Sequence, residues 1–186
     1  MRTVTIAATL IVTAACTQQP AQNSSSSETL PSLHEDAPSA PAAPEPGTPG
    51  GLPDDRAPLP EIKGEIDPKS AEAAGQVVQS YGALIELKRF AEAEKLWGDA
   101  ARARGVSDEL RRYLEVHLQV GKPGDSEGAA GSIFVSVPTV LYGKRADGTD
   151  FSRSGEMVLR RVNDVPGSTE EQRRWHVQSA AWTEAR

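Results

Sequence analysis

The hydrophobic positions between residues 67 and 105 recur every three or four residues, which is the period of an α-helix. Asp67 is a capping residue type and Pro68 suits a first helical turn, so the pattern predicts a helix that begins at Pro68. A break at Lys88 and Arg89 separates it from a second helix, which Gly105 ends. The apolar positions are Ala71, Ala74, Val77, Val78, Tyr81, Leu84 and Ile85, then Phe90, Ala93, Leu96, Trp97 and Ala100. Gly75 and Gly82 beside the first set indicate close approach by another element.

A third, shorter helix is predicted from Ser107, and beyond residue 115 the apolar period changes to two, which indicates β-strands. Strands are predicted at residues 116–120, 132–142 and 151–162, with a last one from Trp175. Asp147 and Gly148 mark a hairpin turn, and Pro138 predicts a bulge or a sheet edge because it lacks an N–H. Helices followed by antiparallel strands predict an α+β domain over residues 67–186, with three N-terminal helices on a curved four-stranded antiparallel sheet.

The amino terminus is typical of an export signal. One positive charge at Arg2 precedes an apolar run at residues 4–12 and small residues at 13–15, and the run is too short for a permanent membrane span. Cys16, the only cysteine, follows directly. This arrangement resembles the lipobox of bacterial lipoproteins, although Thr13 stands where that family usually has leucine. The resemblance implies a signal peptide at residues 1–15, lipid attachment at Cys16, and a periplasm-facing place in the bacterial cell envelope. An ordinary secretory signal with an incidental cysteine is the alternative.

Composition changes sharply after the cysteine. Residues 17–66 are rich in Ser, Pro and Ala and hold eight acids against two bases, whereas residues 67–186 hold eighteen acids against seventeen bases. The formal net charge of −6 therefore comes almost wholly from residues 16–66, which are predicted to form a disordered tether with a reach of roughly 40 Å. A near-neutral domain without a basic stripe argues against nucleic-acid binding.

The folded region resembles the nuclear transport factor 2-like superfamily, which includes ketosteroid isomerase. The resemblance covers roughly residues 69–183, and the residues that carry it are Tyr81-Gly82-Ala83-Leu84, Phe90-Ala91-Glu92-Ala93, Leu96-Trp97 and Trp175-His176-Val177. It implies a curved sheet wrapped around the helices as a cone, a pocket at the open end, and in many members a dimer through the outer sheet face. An unrelated helix–sheet domain is the alternative.

Tyr81, Trp97 and Tyr113 are the residues expected to line such a pocket, with core packing as the alternative reading. In ketosteroid isomerase-like enzymes a tyrosine and a carboxylic acid stabilise an enolate while another carboxylate moves the proton. Here no acid clearly takes an inward strand position; Glu156 is the nearest, and Asp99 is placed at the mouth or at a helix end. The sequence therefore favours binding over catalysis.

Other candidate chemistry is weak. Ser126, in Gly124-Asp125-Ser126-Glu127-Gly128, fits the nucleophile-elbow pattern but lacks the required strand before it and helix after it. His34, His117 and His176 lack metal-ligand spacing, and the last two are expected to point away from the helices. Neither a metal nor a cofactor is predicted.

The strands carry apolar residues on both faces. If Ile133, Val135 and Val137 face the helices, then Phe134, Val140, Tyr142 and Val158, with Val162, face outward. A face of this kind predicts a homodimer or an envelope protein as its cover.

Together these patterns predict a cell-envelope lipoprotein whose cone-like domain binds a partner or a small apolar ligand without chemistry. The alternatives are an isomerase, dehydratase or epoxide-hydrolase type of enzyme on the same fold and a purely structural envelope component.

Overall fold

The computed structural model describes residues 41–54 and 64–184, and the predicted signal peptide and Cys16 lie outside them. Three helices precede a single sheet of five antiparallel strands, which confirms the predicted α+β architecture. The elements are α1 (Ala71–Glu86), α2 (Phe90–Ala93), a 3₁₀ turn (Glu94–Leu96), α3 (Ala100–Leu110), β1 (Glu115–Val120), β2 (Glu127–Ala129), β3 (Ser132–Lys144), β4 (Asp150–Val162), a second 3₁₀ turn (Glu171–Arg173) and β5 (His176–Glu184).

Helix α1 begins three residues later than predicted. The Ser70 side chain caps it by accepting a hydrogen bond from the Ala73 amide at 3.2 Å. Asp67 instead accepts the Lys69 amide in the preceding turn. Asp and Ser are both good capping residues, and the sequence does not distinguish which of them meets the first free amides.

The second predicted helix is interrupted at Trp97. Its backbone there is extended, at φ −93° and ψ 144°, and it forms a bridge with Val177 of β5. Asp99 then caps α3 by accepting the amides of Ala101 and Arg102, and α3 continues through Gly105 and Ser107. The predicted start of the third helix at Ser107 is therefore wrong. The helical conformation is interrupted earlier, where Trp97 and Gly98 join the sheet edge.

The strand order is β1-β3-β4-β5, and the short β2 also pairs with β3. Strand β2 is the fifth strand, which the four-strand prediction lacked. Along one edge of β3, β1 ends at Val120 and β2 begins only at Glu127. Pro138 lies within β3, opposite Gly121 just past the end of β1, and its carbonyl accepts a hydrogen bond from the Gly121 amide at 2.8 Å. In an antiparallel sheet the N–H and the C=O of one residue point to the same neighbouring strand. The position where Pro138 lacks an N–H therefore faces the stretch between β1 and β2, where strand pairing is interrupted. The observed bulge lies elsewhere, between Val158 and Leu159 in the β4–β5 pairing.

The main core lies between the helices and the inner sheet face. It contains Tyr81, Trp97 and the inward residues of the long strands, of which Val137, Leu141, Met157 and Leu159 are fully buried. The predicted close approaches at the helix glycines are present. A Cβ at Gly75 would lie 2.7 Å from the Pro123 ring, and one at Gly82 would lie 3.3 Å from the Leu118 Cβ. No helix in these described ranges is long and apolar enough to cross a membrane.

Candidate functional site

Tyr81 and Trp97 were predicted to line a pocket, but they pack against each other in the core. Their rings lie edge to face with centroids 6.1 Å apart, and their exposed fractions are 1% and 7%. Neither residue lines either of the two clefts described below. These two aromatics therefore stabilise the contact between α1 and the sheet edge.

Tyr113 lies apart from them. Its ring stacks on Phe151 at a centroid distance of 4.1 Å, and its hydroxyl accepts a hydrogen bond from Arg153 at 3.4 Å. It lines an open, mostly polar cleft of about 600 Å³ with Glu109, Arg112 and Arg145. The structure thus does not unite the three predicted residues in one pocket. Tyr113 follows α3 on the side of the β3–β4 hairpin, whereas Tyr81 and Trp97 meet near β5.

The chemistry of the alternative enzyme would need an acid or a histidine next to Tyr81. The Tyr81 hydroxyl is buried and has no hydrogen-bond partner among the described residues. Burial raises the pKa of this phenol well above its ordinary value of 10.0. Asp99 is engaged as the α3 cap, and Glu156 lies opposite Pro138 on the outer face. Among the described residues no acid or histidine is hydrogen-bonded to the Tyr81 hydroxyl, and Glu94, whose charge acts on that phenol, is paired with Arg111 at 3.3 Å.

Ser126 precedes β2, and a strand instead of a helix follows it. It therefore lacks the strand–turn–helix setting of a nucleophile elbow. His117 stacks on Tyr142 at 5.2 Å on the outer face, and His176 lies opposite Arg160 on that face. Within residues 41–54 and 64–184, no group of three or more His, Cys, Asp or Glu side chains is arranged to hold a metal ion.

An apolar cleft of about 440 Å³ opens between the first half of α1 and the start of β5. Its floor is formed by Ala73 and Val77 of α1, Leu96 of the 3₁₀ turn, and Trp175. Val77 lies one helical turn before Tyr81, and Leu96 directly precedes Trp97, so the cleft adjoins the buried aromatic pair. The remaining lining residues are Ile66, Pro68, Gln76, Lys95, Glu171, Arg173, Arg174 and His176. Apolar clefts of this size are typical of small-molecule sites.

A polar network holds the two walls of the cleft together. Arg161, only 4% exposed, donates to the Arg173 carbonyl at 2.8 Å and to the Asp164 carboxylate at 2.9 Å. Lys69, just before α1, forms an ion pair with the same carboxylate. Hydrogen bonds from Lys69 and then Arg161 lower the pKa of Asp164. The loop that carries Arg173 and Trp175 is therefore tied to the beginning of α1.

Two residues that line the cleft each contain a buried nitrogen atom without a partner within the described ranges, namely Trp175 Nε1 and His176 Nδ1. His176 Nε2 lies 2.9 Å from the Glu171 carbonyl, which only accepts hydrogen bonds. In a neutral ring that contact assigns the proton to Nε2 and leaves Nδ1 as an unpaired acceptor. Buried polar atoms without partners are uncommon in folded proteins, and here two of them lie beside one cleft.

The predicted outer-face residues lie on the face opposite the helices. Val137 and Met157 pair in the main core, so alternation directs Phe134, Val140, Tyr142 and Val158 to the other face. Three of these side chains are half-buried, but Val140 is 0% exposed. The described chain itself therefore covers part of this face.

Sequence reasoning missed the cleft although it identified most of its apolar residues. Val77, Leu96 and Trp175 carry the correct periodicity for burial, and nothing local distinguishes them from core residues. The cleft forms where the polar loop at residues 163–174 meets α1, to whose beginning the loop is tied through Arg161, Asp164 and Lys69, which is a tertiary effect.

No protein-family model matches the sequence, and no curated protein matches it significantly. Among solved structures, the chain is similar to an NTF2-like superfamily protein from Salmonella enterica serovar Typhimurium, with 9% identity, 62% of this chain and 91% of that chain covered, and a TM-score of 0.46. It is also similar to a ring-hydroxylating dioxygenase beta subunit from Novosphingobium aromaticivorans, with 14% identity, 62% and 89% coverage, and a TM-score of 0.43. A third similar structure is Aln2 from a Streptomyces species, with 12% identity, 59% and 85% coverage, and a TM-score of 0.37.

These similarities concern the arrangement of helices and sheet alone, and the three names give no ligand or reaction for this chain.

Proposed function

We propose that this chain is a lipid-anchored protein of the bacterial cell envelope whose folded domain binds a small, mainly apolar ligand in the cleft between α1 and β5. The ligand is bound without being transformed. The observation that carries this proposal is the cleft itself, because a groove of about 440 Å³ with Val77, Leu96 and Trp175 on its floor offers apolar surface to a small molecule.

The rim of the cleft suggests the chemistry of one end of the ligand. Lys95, Arg173 and Arg174 stand there against a single acid, Glu171. Glu171 already pairs with Arg174 at 3.4 Å. An apolar body with an anionic end would place its charge among the cations and its body on the floor.

The enzyme alternative would require a proton-transfer group in hydrogen-bond contact with Tyr81, and among the described residues its hydroxyl makes no such contact. A purely structural role does not depend on the cleft, and a cleft that binds no ligand would favour that role. Ligand binding is therefore preferred over both alternatives.

The cleft can be tested with two dyes that share one ring system, neutral N-phenyl-1-naphthylamine and its anionic sulfonate. We expect both to gain fluorescence with the protein, and the anionic dye to bind more tightly at low salt. Ala73→Trp fills the cleft and should abolish binding, whereas Ala83→Trp, at an exposed position of the same helix, should not. Equal binding by the two variants would place the dyes elsewhere and contradict the proposal.

The anchor can be tested separately at Cys16. Cys16→Ser should leave an unlipidated precursor that moves from the detergent phase to the aqueous phase on partitioning. Unchanged partitioning would refute lipid attachment at this residue without bearing on the cleft.

A further inference from the structure

A segment of the predicted tether is folded. Residues 45–54, called the strap below, contain two successive turns in which Pro is followed by Gly. The Thr48 amide donates to the Glu45 carbonyl at 3.2 Å, and the Gly51 amide donates to the Thr48 carbonyl at 2.9 Å. Gly47 and Gly50, the third residues of these turns, have φ of +78° and +84°. Pro second and Gly third with positive φ is the pattern of a type II turn, so the predicted disorder does not extend to this segment.

The strap is anchored by Leu52, which is only 8% exposed. Its Cδ2 lies 3.1 Å from where a Cβ on Gly121 would stand, and the Pro138 Cβ lies 3.3 Å from the same point. Val120 and Thr139 face inward, so alternation turns Gly121 and Pro138 outward. Leu52 therefore docks on the outer face of the sheet.

Burial outside the main core is found at the same part of the outer face. Leu52 and Val140 are the two buried apolar residues of the described ranges that do not belong to the main core. Val140 is two residues from Pro138 on the same face. Its cross-strand neighbour Gln119 also has a buried side-chain oxygen. Leu52 and Val140 are therefore both buried on the outer face, away from the helices.

We propose that the patch of Gly121, Pro138 and Val140 is a docking site for this chain's own strap, and that the docked strap keeps a second copy of the chain from pairing through the outer face. The predicted tether would then leave the domain near Glu45 instead of near Asp67. This device is independent of the cleft, which shares no lining residue with the patch.

The rest of the outer face fits a second copy. Glu156 and Arg160 lie two residues to either side of Val158 on the same strand face. A two-fold axis near Val158 would therefore place the arginine of each copy opposite the glutamate of the other. Pro138, beneath the strap, pairs directly with Glu156, so the docked strap occupies space that such a partner would need.

Two variants of the full chain release the strap by different means. Leu52→Glu removes the anchor, and Gly51→Ala breaks the turn because its Cβ would lie 2.2 Å from the Glu45 carbonyl oxygen. Leu114→Glu is the matched control, because Leu114 is 51% exposed. The first readout is hydrogen exchange of the Gly121 amide, which donates to Pro138. Both release variants should raise its rate about tenfold or more, and the control should not.

The second readout is the mass in solution by light scattering. The wild type should be a monomer, and both release variants should form dimers. Adding Phe134→Glu to Leu52→Glu should restore the monomer, because it places a charge in the newly freed face. A synthetic peptide of residues 43–55 should restore both slow exchange and the monomer in Leu52→Glu.

Unchanged exchange at Gly121 in both release variants would overturn the docking site. Faster exchange in release variants that remain monomeric would overturn the proposal that the strap prevents dimerisation. A wild-type dimer whose Gly121 amide is protected from exchange would overturn it as well.

Discussion

The two faces of the sheet are buried by different means. On the inner face, helices with a continuous apolar side cover Val137, Met157 and Leu159, which join one core with Tyr81 and Trp97. On the outer face, Val140 is buried just as completely, but it lies outside that core, as does Leu52 of the strap. The same alternation of side chains along the strands supplies the apolar residues of both faces.

The difference shows that burial alone does not indicate how strongly a residue is held. An inner-face residue loses its contacts only when helices and sheet separate, which is global unfolding. An outer-face residue under the strap can be uncovered by local opening of residues 45–54 while the rest of the domain stays folded. Inner-face residues and residues under the strap should therefore contribute unequally to the free energy of unfolding, even where their exposed fractions are equal.

The largest effect is expected for Leu159→Ala on the inner face. Leu159 is 0% exposed in the main core, and its truncation leaves a cavity between rigid elements. We expect a loss of about 2–5 kcal/mol in the free energy of unfolding, measured by urea denaturation. A loss below about 1 kcal/mol would mean that the inner face is packed no more tightly than the outer one.

An intermediate effect is expected for Arg161→Met. The buried guanidinium donates to the Arg173 carbonyl and to Asp164, and methionine keeps the apolar length of the side chain without these donors. Leaving the carbonyl unpaired should cost about 1–3 kcal/mol. Faster hydrogen exchange at residues 163–175 would show that the cleft wall has loosened. Arg174→Met, at an exposed position of the same loop, serves as the control.

A smaller effect is expected for Leu52→Ala on the outer face. The strap should detach more often, but the main core keeps all its contacts, so the free energy of global unfolding should fall by about 1 kcal/mol or less. A loss as large as that of Leu159→Ala would show that the strap unfolds with the core.

The smallest effect at neutral pH is expected for Tyr81→Phe. It removes a buried hydroxyl that has no partner among the described residues, so stability should stay the same or rise slightly. The effect should grow in alkali. The raised pKa of the folded state means that the unfolded state releases the Tyr81 proton first, so the wild type loses stability as pH rises above about 10. The phenylalanine variant should show a shallower loss in urea midpoints between about pH 8 and pH 11, and identical slopes would contradict it.

Local patterns predicted most elements because helix and strand periods follow from which side of the element is buried. The strands observed at β1, β3 and β4 match the predicted ones within two residues at each end. The break at Trp97 escaped prediction because the helical period continues through it, and the extended backbone is favoured by the bridge to Val177, far away in sequence. The Pro-Gly pairs at residues 46–47 and 49–50 were a readable turn signal, yet composition alone led to a prediction of disorder throughout.

The sequence by itself determined the α+β class and the inward and outward sets of the strands, because both follow from the local period of apolar residues. Only the tertiary structure decided that Tyr81 and Trp97 are core, that the cleft lies one turn away between Val77 and Trp175, and that Leu52 reaches the outer face. Those outcomes depend on which distant segments meet, and contacts between distant segments leave no periodic trace in the chain.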